Sequence, residues 1–435
     1  MRPAWRVPAA LLIASLGVTA CTGSAPYGAK EPAHNSAGDL GPAVQQVALE
    51  GDLIAGVTER ETSPGADGLA VNAVVSGTNA FAIRFFQTAV GDSADNVVVG
   101  NYSLGTALLL AMAGTNGSTT DAFANLLGID GVDPAELHGA VNAIDLILES
   151  RAGEGLDIRT ANKIFVQQGL ALRDEFLDTA VGSYGAPVTA VDFLGSPAEV
   201  AATVNDWVSD QTDGFIDKLT DGYPVETVVV LANAMYLKAP WAVEFHRTEH
   251  PGRFTTSTGE VLEVEMMSHD EYLPVNNNTD VVAVELPYVG GNLGLVVIQP
   301  ADLGEFEASL TADGLREITD GLEESGIHLT MPIWSTKTDL EALEHLHAMG
   351  LPDVYDFSTM IEGGQTGYFI ESVSHVARID VDETGTTAGA ATDVVTLVSH
   401  GPTVEIDRPF FYLIRDRGSG AILFLGHVTD PTQTG

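Results

Sequence analysis

The stretch from Asp382 to His400 constrains the fold most strongly. In an extended strand successive side chains point to opposite faces, so the even positions 386–398 form one row without charge and without any residue larger than Val. That row, called the inward row below, could be buried, whereas the odd row carries Asp393 and would face solvent. The stretch predicts a loop that can become a strand within a sheet. On these residues alone, a mobile surface loop is the simpler alternative.

Composition indicates a globular protein with an extreme charge. The 435 residues are 45% hydrophobic and include 46 Gly and 20 Pro, so the chain is ample for a large core. Lys and Arg number 19 against 60 Asp and Glu, which gives a formal net charge of −41. Such a surface repels nucleic acid and anionic membranes, so we expect neither as a direct partner.

Motifs for metals, cofactors and catalysis do not occur in the sequence. We find no Cys/His zinc pattern, phosphate loop or dinucleotide fingerprint, and His345 and His347 are too closely spaced to share a helix face. The run from Asn101 to Gly105 approaches the nucleophile elbow Gly-x-Ser-x-Gly, but its first position is Asn101. We therefore predict no cofactor, no metal site and no enzymatic activity.

The N-terminus predicts export. Met1, Arg2 and Arg6 precede an apolar run from Val7 to Val18. A basic start, a short apolar core and small residues before a cut site are typical of a secretory signal. The run is shorter than the roughly 20 residues that span a bilayer.

The signal ends in Val18-Thr19-Ala20-Cys21, which resembles the lipobox of prokaryotic lipoproteins. Cys21 is the only cysteine, so no intrachain disulfide is possible. We predict a signal peptide over 1–20, a flexible linker over 21–74 lipid-anchored at Cys21, and a folded domain over 75–432 at the cell surface. The anchor would be the only link to the membrane. An ordinary cleaved signal with an incidental cysteine is the alternative.

Several separated motifs follow in order through the folded domain. Residues 226–241 are nearly continuous in apolar side chains, as expected for a strand buried on both faces. The segment 364–381 precedes the Asp382–His400 stretch, and Asp407-Arg408-Pro409-Phe410 follows it before a second apolar run over 421–428. In these motifs the chain resembles the serpin family, whose members carry an Ala-rich hinge after Glu-x-Gly and before an Arg-Pro-Phe hairpin.

The resemblance implies an α+β serpin fold with a large central β-sheet, two further sheets, about nine helices and an exposed reactive-centre loop. It also implies a suicide-substrate inhibitor. A serine protease, or a cysteine protease as a further candidate, would cut the loop and form an acyl bond. The freed hinge would then insert into the central sheet, and we expect the inhibitor to be a monomer. The hinge residues are Glu383, Gly385, Thr386, Ala388, Ala390 and Thr392.

The resemblance further implies that Ser103, Asn233 and His375 hydrogen-bond together where two central strands must part. A half-made buried polar network is costly, so the three could act as a latch. A lone His in an apolar strand is more simply a satisfied core residue, and either interpretation makes His375 structural. Trp241 is implied at the top of the sheet, where the loop enters. The family usually has Ser-Pro where this chain has Gly100-Asn101.

The cleaved bond is placed at Val398-Ser399 or Ser399-His400 by two counts. Counting seventeen residues from Glu383 gives Ser399, whereas counting back from Pro409 by the family's usual distance gives Val398. No Lys or Arg occurs from residue 383 to 407, which argues against trypsin-like targets. Small and apolar residues favour elastase-like or subtilisin-like proteases, with Leu397 as a chymotrypsin-like site.

Two alternatives stay open at this point. A non-inhibitory serpin would normally carry bulky, charged or Pro residues in the hinge; here Thr387 replaces the family's common Glu, but on the outward row. A surface-binding or structural lipoprotein would form no protease complex that survives boiling in detergent. An enzyme is the weakest alternative.

Overall fold

A computed structural model describes residues 15–20, 59–91, 93–224, 226–278, 280–363, 368–386 and 402–433. For residues 15–20, 368–369 and 371–372 only the backbone is considered. Three groups of predicted site residues lie outside the described residues. They are the lipidation site Cys21, the hinge residues Ala388, Ala390 and Thr392, and the residues of the scissile bond region, Leu397, Val398, Ser399 and His400.

Nine helices form in the described part of the chain, and their ends follow ordinary capping rules. The Asp67 carboxylate caps the first helix by accepting a hydrogen bond from the Leu69 N–H. Pro134 and Pro197 begin two helices at the position where a missing N–H has no cost. The helices are α1 (Gly68–Val90), α2 (Asn101–Ala113), α3 (Ser118–Leu127), α4 (Pro134–Glu149), α5 (Asp174–Tyr184), α6 (Pro197–Gln211), α7 (Leu303–Ser309), α8 (Ala312–Asp320) and α9 (Leu343–Ala348).

Strands account for most of the remaining regular structure. In chain order they are β1 (Ser15–Ala20), β2 (Val97–Val99), β3 (Asp157–Gln167), β4 (Val188–Val191), β5 (Thr227–Pro240), β6 (His246–Arg247), β7 (Gly252–Thr255), β8 (Val261–Val264), β9 (Met266–Asn277), β10 (Val281–Pro287), β11 (Leu293–Pro300), β12 (Glu323–Pro332), β13 (Trp334–Glu341), β14 (Tyr368–Asp382), β15 (Gly385–Thr386), β16 (Thr403–Glu405), β17 (Phe410–Asp416) and β18 (Ile422–Val428).

These strands form three sheets among the described residues. The first sheet has seven strands in the order β1-β14-β15-β5-β3-β4, with β13 paired to β14 and β1 paired also to β5. The second has nine strands, in the order β16-β12-β9-β10-β11-β17-β18-β2 with β6 against β9, and the third is the hairpin β7-β8. The predicted α+β fold, with one large sheet, two further sheets and about nine helices, is confirmed.

Helix α2 lies between the two large sheets and contacts both β5 and β18. Its residues from Asn101 to Met112 are buried, as a helix without a polar face must be. Helix α6 also packs against β5. Because helices cover this strand, its apolar run is buried almost throughout, as the sequence predicts. A polar side chain in the middle of β5 is therefore exceptional.

The folded region begins earlier than the predicted boundary at residue 75. Helix α1 starts at Gly68, and before it the Arg60 guanidinium bonds to Asn142 Oδ1 at 3.1 Å and to Glu149 Oε1 at 2.6 Å. By length and composition α1 could cross a bilayer, but it is a core helix whose Phe81 and Phe85 are fully buried. Residues 68–74, predicted as part of the linker 21–74, thus belong to α1, and residues 21–58 of that predicted linker lie outside the described residues.

The packing of α1 against the end of α3 depends on a glycine. A Cβ added to Gly77 would lie 2.5 Å from the carbonyl oxygen of Gly128. We expect Gly77→Ala to lower the free energy of unfolding by about 1–3 kcal/mol, because the two backbones must move apart. Gly139→Ala in α4 is the matched control, since nothing lies within 4 Å of the added Cβ. It should be neutral or stabilising by up to about 1 kcal/mol. Urea unfolding midpoints test both, and equal midpoints for the two variants would contradict the packing argument.

Candidate functional site

The candidate site is the space between β5 and β14 in the first sheet, which we call the slot. The registers of the described strands include no direct pairing of β5 with β14. Instead, β15 pairs with both strands at one end of the slot, and β1 pairs with both at the other end. All four pairings are antiparallel, so β5 and β14 run in the same direction.

The two occupants leave a gap of defined length. Thr386 at the end of β15 is opposite Ala239 and Val381. Ser15 at the start of β1 is opposite Ala232 and Ser374. Between these levels lie residues 233–238 of β5 and residues 375–380 of β14, for which no described strand supplies a partner on the slot side. The gap therefore corresponds to six residues of an inserted strand.

Thr386, the first member of the inward row, is already buried. It is 2% exposed, and its Oγ1 lies 2.6 Å from the hydroxyl of Tyr288. The Tyr288 ring stacks on Trp241 with a centroid separation of 4.8 Å and an interplanar angle of 5°. Burial raises the pKa of Tyr288 far above its ordinary value, so this hydroxyl keeps its proton. The beginning of the hinge is thus held in the mouth of the slot.

Trp241 lies where the resemblance implies. Its indole N–H donates to the carbonyl oxygen of Asp382 at 2.8 Å, and its backbone N–H donates to the carbonyl oxygen of Thr384 at 3.0 Å. The carboxylate of Asp382 accepts hydrogen bonds from the N–H groups of Thr384 and Gly385 at 2.7 and 3.2 Å. These contacts fix the turn that directs the chain from β14 into β15.

Two further hinge residues secure this turn. Glu383 forms an ion pair with Arg247 at 3.1 Å, and its carbonyl oxygen accepts from the Phe245 N–H at 2.9 Å. Gly385 has φ of 154°, and a Cβ at this position would meet the backbone of Ala239 and Pro240. Only glycine fits there without displacing β5. This gives the Glu-x-Gly part of the hinge motif a physical reason.

At the end of the gap nearer β1, a chain of buried side-chain hydrogen bonds runs along the first sheet from α2 to α5. Ser103 Oγ donates to Asn233 Oδ1, and Asn233 Nδ2 donates to Asn162 Oδ1 at 2.6 Å. Asn162 Nδ2 in turn donates to the carbonyl oxygen of Tyr184 at 2.9 Å. Ser103, Asn233 and Asn162 are at most 4% exposed, so these hydrogen bonds replace those that water would supply.

His375 does not join this network, which corrects the predicted three-way latch. Its Nε2 accepts from the Gly100 N–H at 3.1 Å, and its Nδ1 has no hydrogen-bond partner. The reason is the level at which β1 lies, since Ser15 pairs with Ser374 on one side and Ala232 on the other. Here β14 and β5 are therefore two strand spacings apart, about 10 Å. His375 and Asn233 cannot reach each other across that distance.

Burial determines the charge of His375. The centroids of the His375 and Phe85 rings are 6.4 Å apart. The His375 side chain is 0% exposed, and burial lowers its pKa to about 3. The ring is therefore neutral, and because Nε2 accepts, the proton resides on Nδ1. A buried N–H without an acceptor is costly and rare.

Sequence reasoning missed Asn162 and Tyr288. A signal existed for Asn162, since an Asn occurs within each of the two long apolar strands β3 and β5, and these residues are directly opposite in register. For Tyr288 no local signal existed, because its partners Trp241 and Thr386 are far away along the chain. Among the described residues no cluster of acidic, His or Cys side chains could hold a metal ion.

The neutral state of His375 makes stability depend on pH. In the unfolded chain the ring binds a proton below about pH 6.5, whereas the folded pKa is about 3. Stability from this group is therefore complete above pH 6.5 and is lost as pH falls, by up to about 1.4 kcal/mol per pH unit. We expect His375→Gln to flatten the slope of unfolding free energy between pH 6.5 and 4.5.

Chemical unfolding at several pH values measures this slope. His250→Gln is the matched control, because His250 is exposed and its replacement should leave the slope unchanged. The comparison uses slopes, so a uniform loss of stability in the His375 variant does not obscure it. An unchanged slope in that variant would show that His375 titrates normally in the folded protein.

Comparisons with known proteins agree with this architecture. The family model described as Serpin (serine protease inhibitor) matches residues 76–431. An uncharacterized serpin-like protein of Thermococcus kodakarensis is 33% identical over 372 residues, which cover 82% of this chain and 86% of that protein. The leukocyte elastase inhibitor of Bos taurus is 30% identical over 372 residues, which cover 81% of this chain and 97% of that inhibitor.

A solved structure gives the same result for the fold. The crystal structure of tengpin, a thermophilic serpin in the native state, superposes with a TM-score of 0.75 at 23% identity. The match covers 88% of this chain and 100% of tengpin. The family model spans most of the sequence, and the slot carries the motifs that suggested the resemblance. This chain therefore belongs to the serpin family of serine protease inhibitors.

Proposed function

We propose that this serpin is a suicide-substrate inhibitor that traps a protease by inserting its cleaved loop into the slot. The observation that carries the proposal is β15, because the hinge already enters between β5 and β14 and pairs with both. A protease nucleophile attacks the loop near Val398 and Ser399 and remains bound as an acyl ester on the released end. The hinge then extends β15 through the slot and takes the protease with it.

The register of β15 determines where each later hinge residue would pair. Continuing from Thr386, Thr387 would be opposite Lys238 and Asp380, and Ala388 would be opposite Leu237 and Ile379. Directly paired residues share a face. Leu237 and Ile379 are 5% and 2% exposed, whereas Lys238 and Asp380 are partly exposed. The inward row would therefore face the core, where its small uncharged side chains fit.

If the same register continued, Thr392 would be opposite both Asn233 and His375. On insertion, the Thr392 hydroxyl would lie between two residues that are otherwise too far apart to bond. It could accept a hydrogen bond from the unpartnered Nδ1–H of His375. The latch that the resemblance implies would then be completed only in the inserted state, and it would stabilise that state selectively.

Energetics favour insertion. A strand extending from Gly385 to Val398 would add on the order of ten ladder hydrogen bonds, each contributing about 1 kcal/mol, together with burial of the inward row at about 25 cal/mol per Å². This rivals the roughly 5–15 kcal/mol of a whole domain's stability. The uncut fold should accordingly be metastable. A protease displaced by insertion loses the geometry that deacylation requires, since an error of about 1 Å is already expensive.

The target we propose is an elastase-like or subtilisin-like serine protease. The loop offers no Lys or Arg, and the residues around the cut are Leu397, Val398, Ser399 and His400. The Bos taurus relative is named as an inhibitor of leukocyte elastase, which agrees with small or apolar residues at the cut. A non-inhibitory serpin is the alternative, but it lacks support from the hinge, where every inward position from 386 to 392 is Thr or Ala.

The decisive experiment mixes the protein with elastase-like and subtilisin-like proteases. We expect a complex that survives boiling in detergent, a cut near residue 398 by mass spectrometry, and a large rise in the thermal midpoint after nicking. If nicking leaves the thermal midpoint unchanged, loop insertion does not occur. If heat resistance rises but no complex forms, the protein is a non-inhibitory serpin.

A matched pair of hinge variants tests the two rows. Ala388→Arg would place a charge against Leu237 and Ile379 in the core, so we expect cleavage without a stable complex. Thr387→Arg would place the same charge beside Asp380 on the outward face, so complex formation should be retained. The yield of detergent-stable complex, measured by gel, separates them. Equal yields would contradict the assignment of the inward row.

We also propose that the protein is exported and anchored through Cys21, with the signal peptide cut between Ala20 and Cys21. The lipobox-like run Val18-Thr19-Ala20-Cys21 supports this, as does the absence of cysteine elsewhere in the sequence. We expect the mature chain to begin at Cys21 and to incorporate labelled lipid. A Cys21→Ser chain should incorporate none, and a mature N-terminus elsewhere than Cys21 would refute the assignment.

A further inference from the structure

A segment from the N-terminus of the chain occupies the path of the hinge. Strand β1 comprises Ser15–Ala20, the last six residues before Cys21. It pairs antiparallel with β14 from Ser374 to Tyr368 and antiparallel with β5 from Ala232 to Thr227. This is the orientation that β15 has in the same slot. The segment thus has the backbone position of an inserted loop.

The two registers overlap at a definite residue. Continuing the register of β15, Asp393 would be opposite Ala232 and Ser374, which are the partners of Ser15. Residues 387–392 would fit in the six-residue gap, whereas residues 393–398 would need the positions that β1 holds. One stretch of backbone cannot pair with two strands on the same side. Occupation by β1 and full insertion of the hinge therefore exclude each other.

The composition of β1 suits this position. The sequence Ser-Leu-Gly-Val-Thr-Ala carries no charge, like the inward row of the hinge. Pairing on both sides satisfies the backbone groups of β5 and β14 at this end of the slot, which would otherwise need another partner. The segment stabilises the sheet with the same kind of hydrogen bonds that the hinge would make, so it removes part of the free energy that drives insertion.

We propose that residues 15–20 act as a built-in plug, so that a folded precursor is not an inhibitor and cleavage between Ala20 and Cys21 activates it. With β1 in place, the hinge can advance by the six residues of the gap, about 20 Å at about 3.4 Å per residue. Without it, the hinge can advance to Val398, about 40 Å. Removal of residues 1–20 would vacate the part of the slot that β1 occupies, because β1 ends at the residue before Cys21. The inference rests on the proposed function and on the proposed cleavage site.

The experiment compares three full-length chains that retain residues 1–20, all carrying Cys21→Ser so that neither lipid nor thiol interferes. They are the otherwise unchanged chain, Leu16→Pro and Leu16→Val. Leu16 is opposite Val373 and Leu231, and proline there removes a ladder N–H and disfavours the strand. Valine keeps the N–H and introduces a β-branched side chain that suits a strand, so it is the matched control. The processed chain from residue 21 is the fourth sample.

We expect the unchanged and Leu16→Val chains to be cleaved by an elastase-like protease yet to form little detergent-stable complex. Leu16→Pro should form at least about tenfold more complex, because a loss of 1.4 kcal/mol of strand pairing corresponds to a factor of ten. Its complex yield should approach that of the processed chain. Amide exchange at residues 227–232 and 370–374 should be slower in the unchanged and Leu16→Val chains than in Leu16→Pro. Where the processed chain forms complex, equal complex yields from the unchanged and Leu16→Pro chains would overturn the proposal, and so would equal exchange.

Failure of the proposed function gives a different pattern. If no sample forms a complex, including the processed chain, while the exchange difference persists, then inhibition by loop trapping is wrong and the position of β1 in the slot stands. If the processed chain and all three longer chains form complex equally, inhibition is supported and the plug is refuted.

Discussion

The structure depends on two strands, β5 and β14, that do not hydrogen-bond directly to each other. Strands β5 and β14 run in the same direction, and the slot between them requires an antiparallel strand that the body of the domain does not supply. Backbone N–H and C=O groups facing a buried gap carry a free-energy cost comparable to a lost hydrogen bond each. An uncharged extended segment that reached the slot would therefore be bound by the first sheet through these backbone groups. The short β15 satisfies this demand at one end only.

The residues around the mouth of the slot admit one kind of chain. Gly385 passes the backbone of Ala239 and Pro240 so closely that a side chain would displace β5. Thr386 is then bonded to Tyr288, which is fixed by its stack on Trp241. These contacts hold Gly385 and Thr386 in register between β5 and β14. In the proposed mechanism these contacts would set the register of insertion before cleavage of the loop, and a slip by one residue would turn the inward row outward.

Sequence reasoning succeeded where the determining interactions are local or periodic. The buried strand β5 follows from its apolar run, and the burial of Thr386 agrees with the alternation of the hinge stretch. It failed for His375, because the partner of this residue depends on which strand stands between β14 and β5. It also placed the start of the fold too late, since Arg60 and Gly68 are held by partners in α4 and by an N-cap rather than by any run of apolar residues. The role of Tyr288 depends on contacts distant in sequence, which no local pattern encodes.

An orphaned group connects these observations. The Nδ1–H of His375 has no acceptor while β14 and β5 are two strand spacings apart at its level, and the chain Ser103-Asn233-Asn162 ends on the other side of the gap. A satisfied network would stabilise the empty slot and oppose insertion, whereas a half-satisfied one raises the free energy of that state. A strand that continued β15 could complete it with a hydrogen-bond acceptor six positions after Thr386, where the residue is Thr392. The polar residues in the centre of this apolar sheet would thus favour an inserted strand that carries a matching polar side chain. Strand β1 begins one residue level away, where Ser15 pairs with Ser374 and Ala232. It therefore pairs with the backbone at its end of the slot without supplying an acceptor at the level of His375 and Asn233.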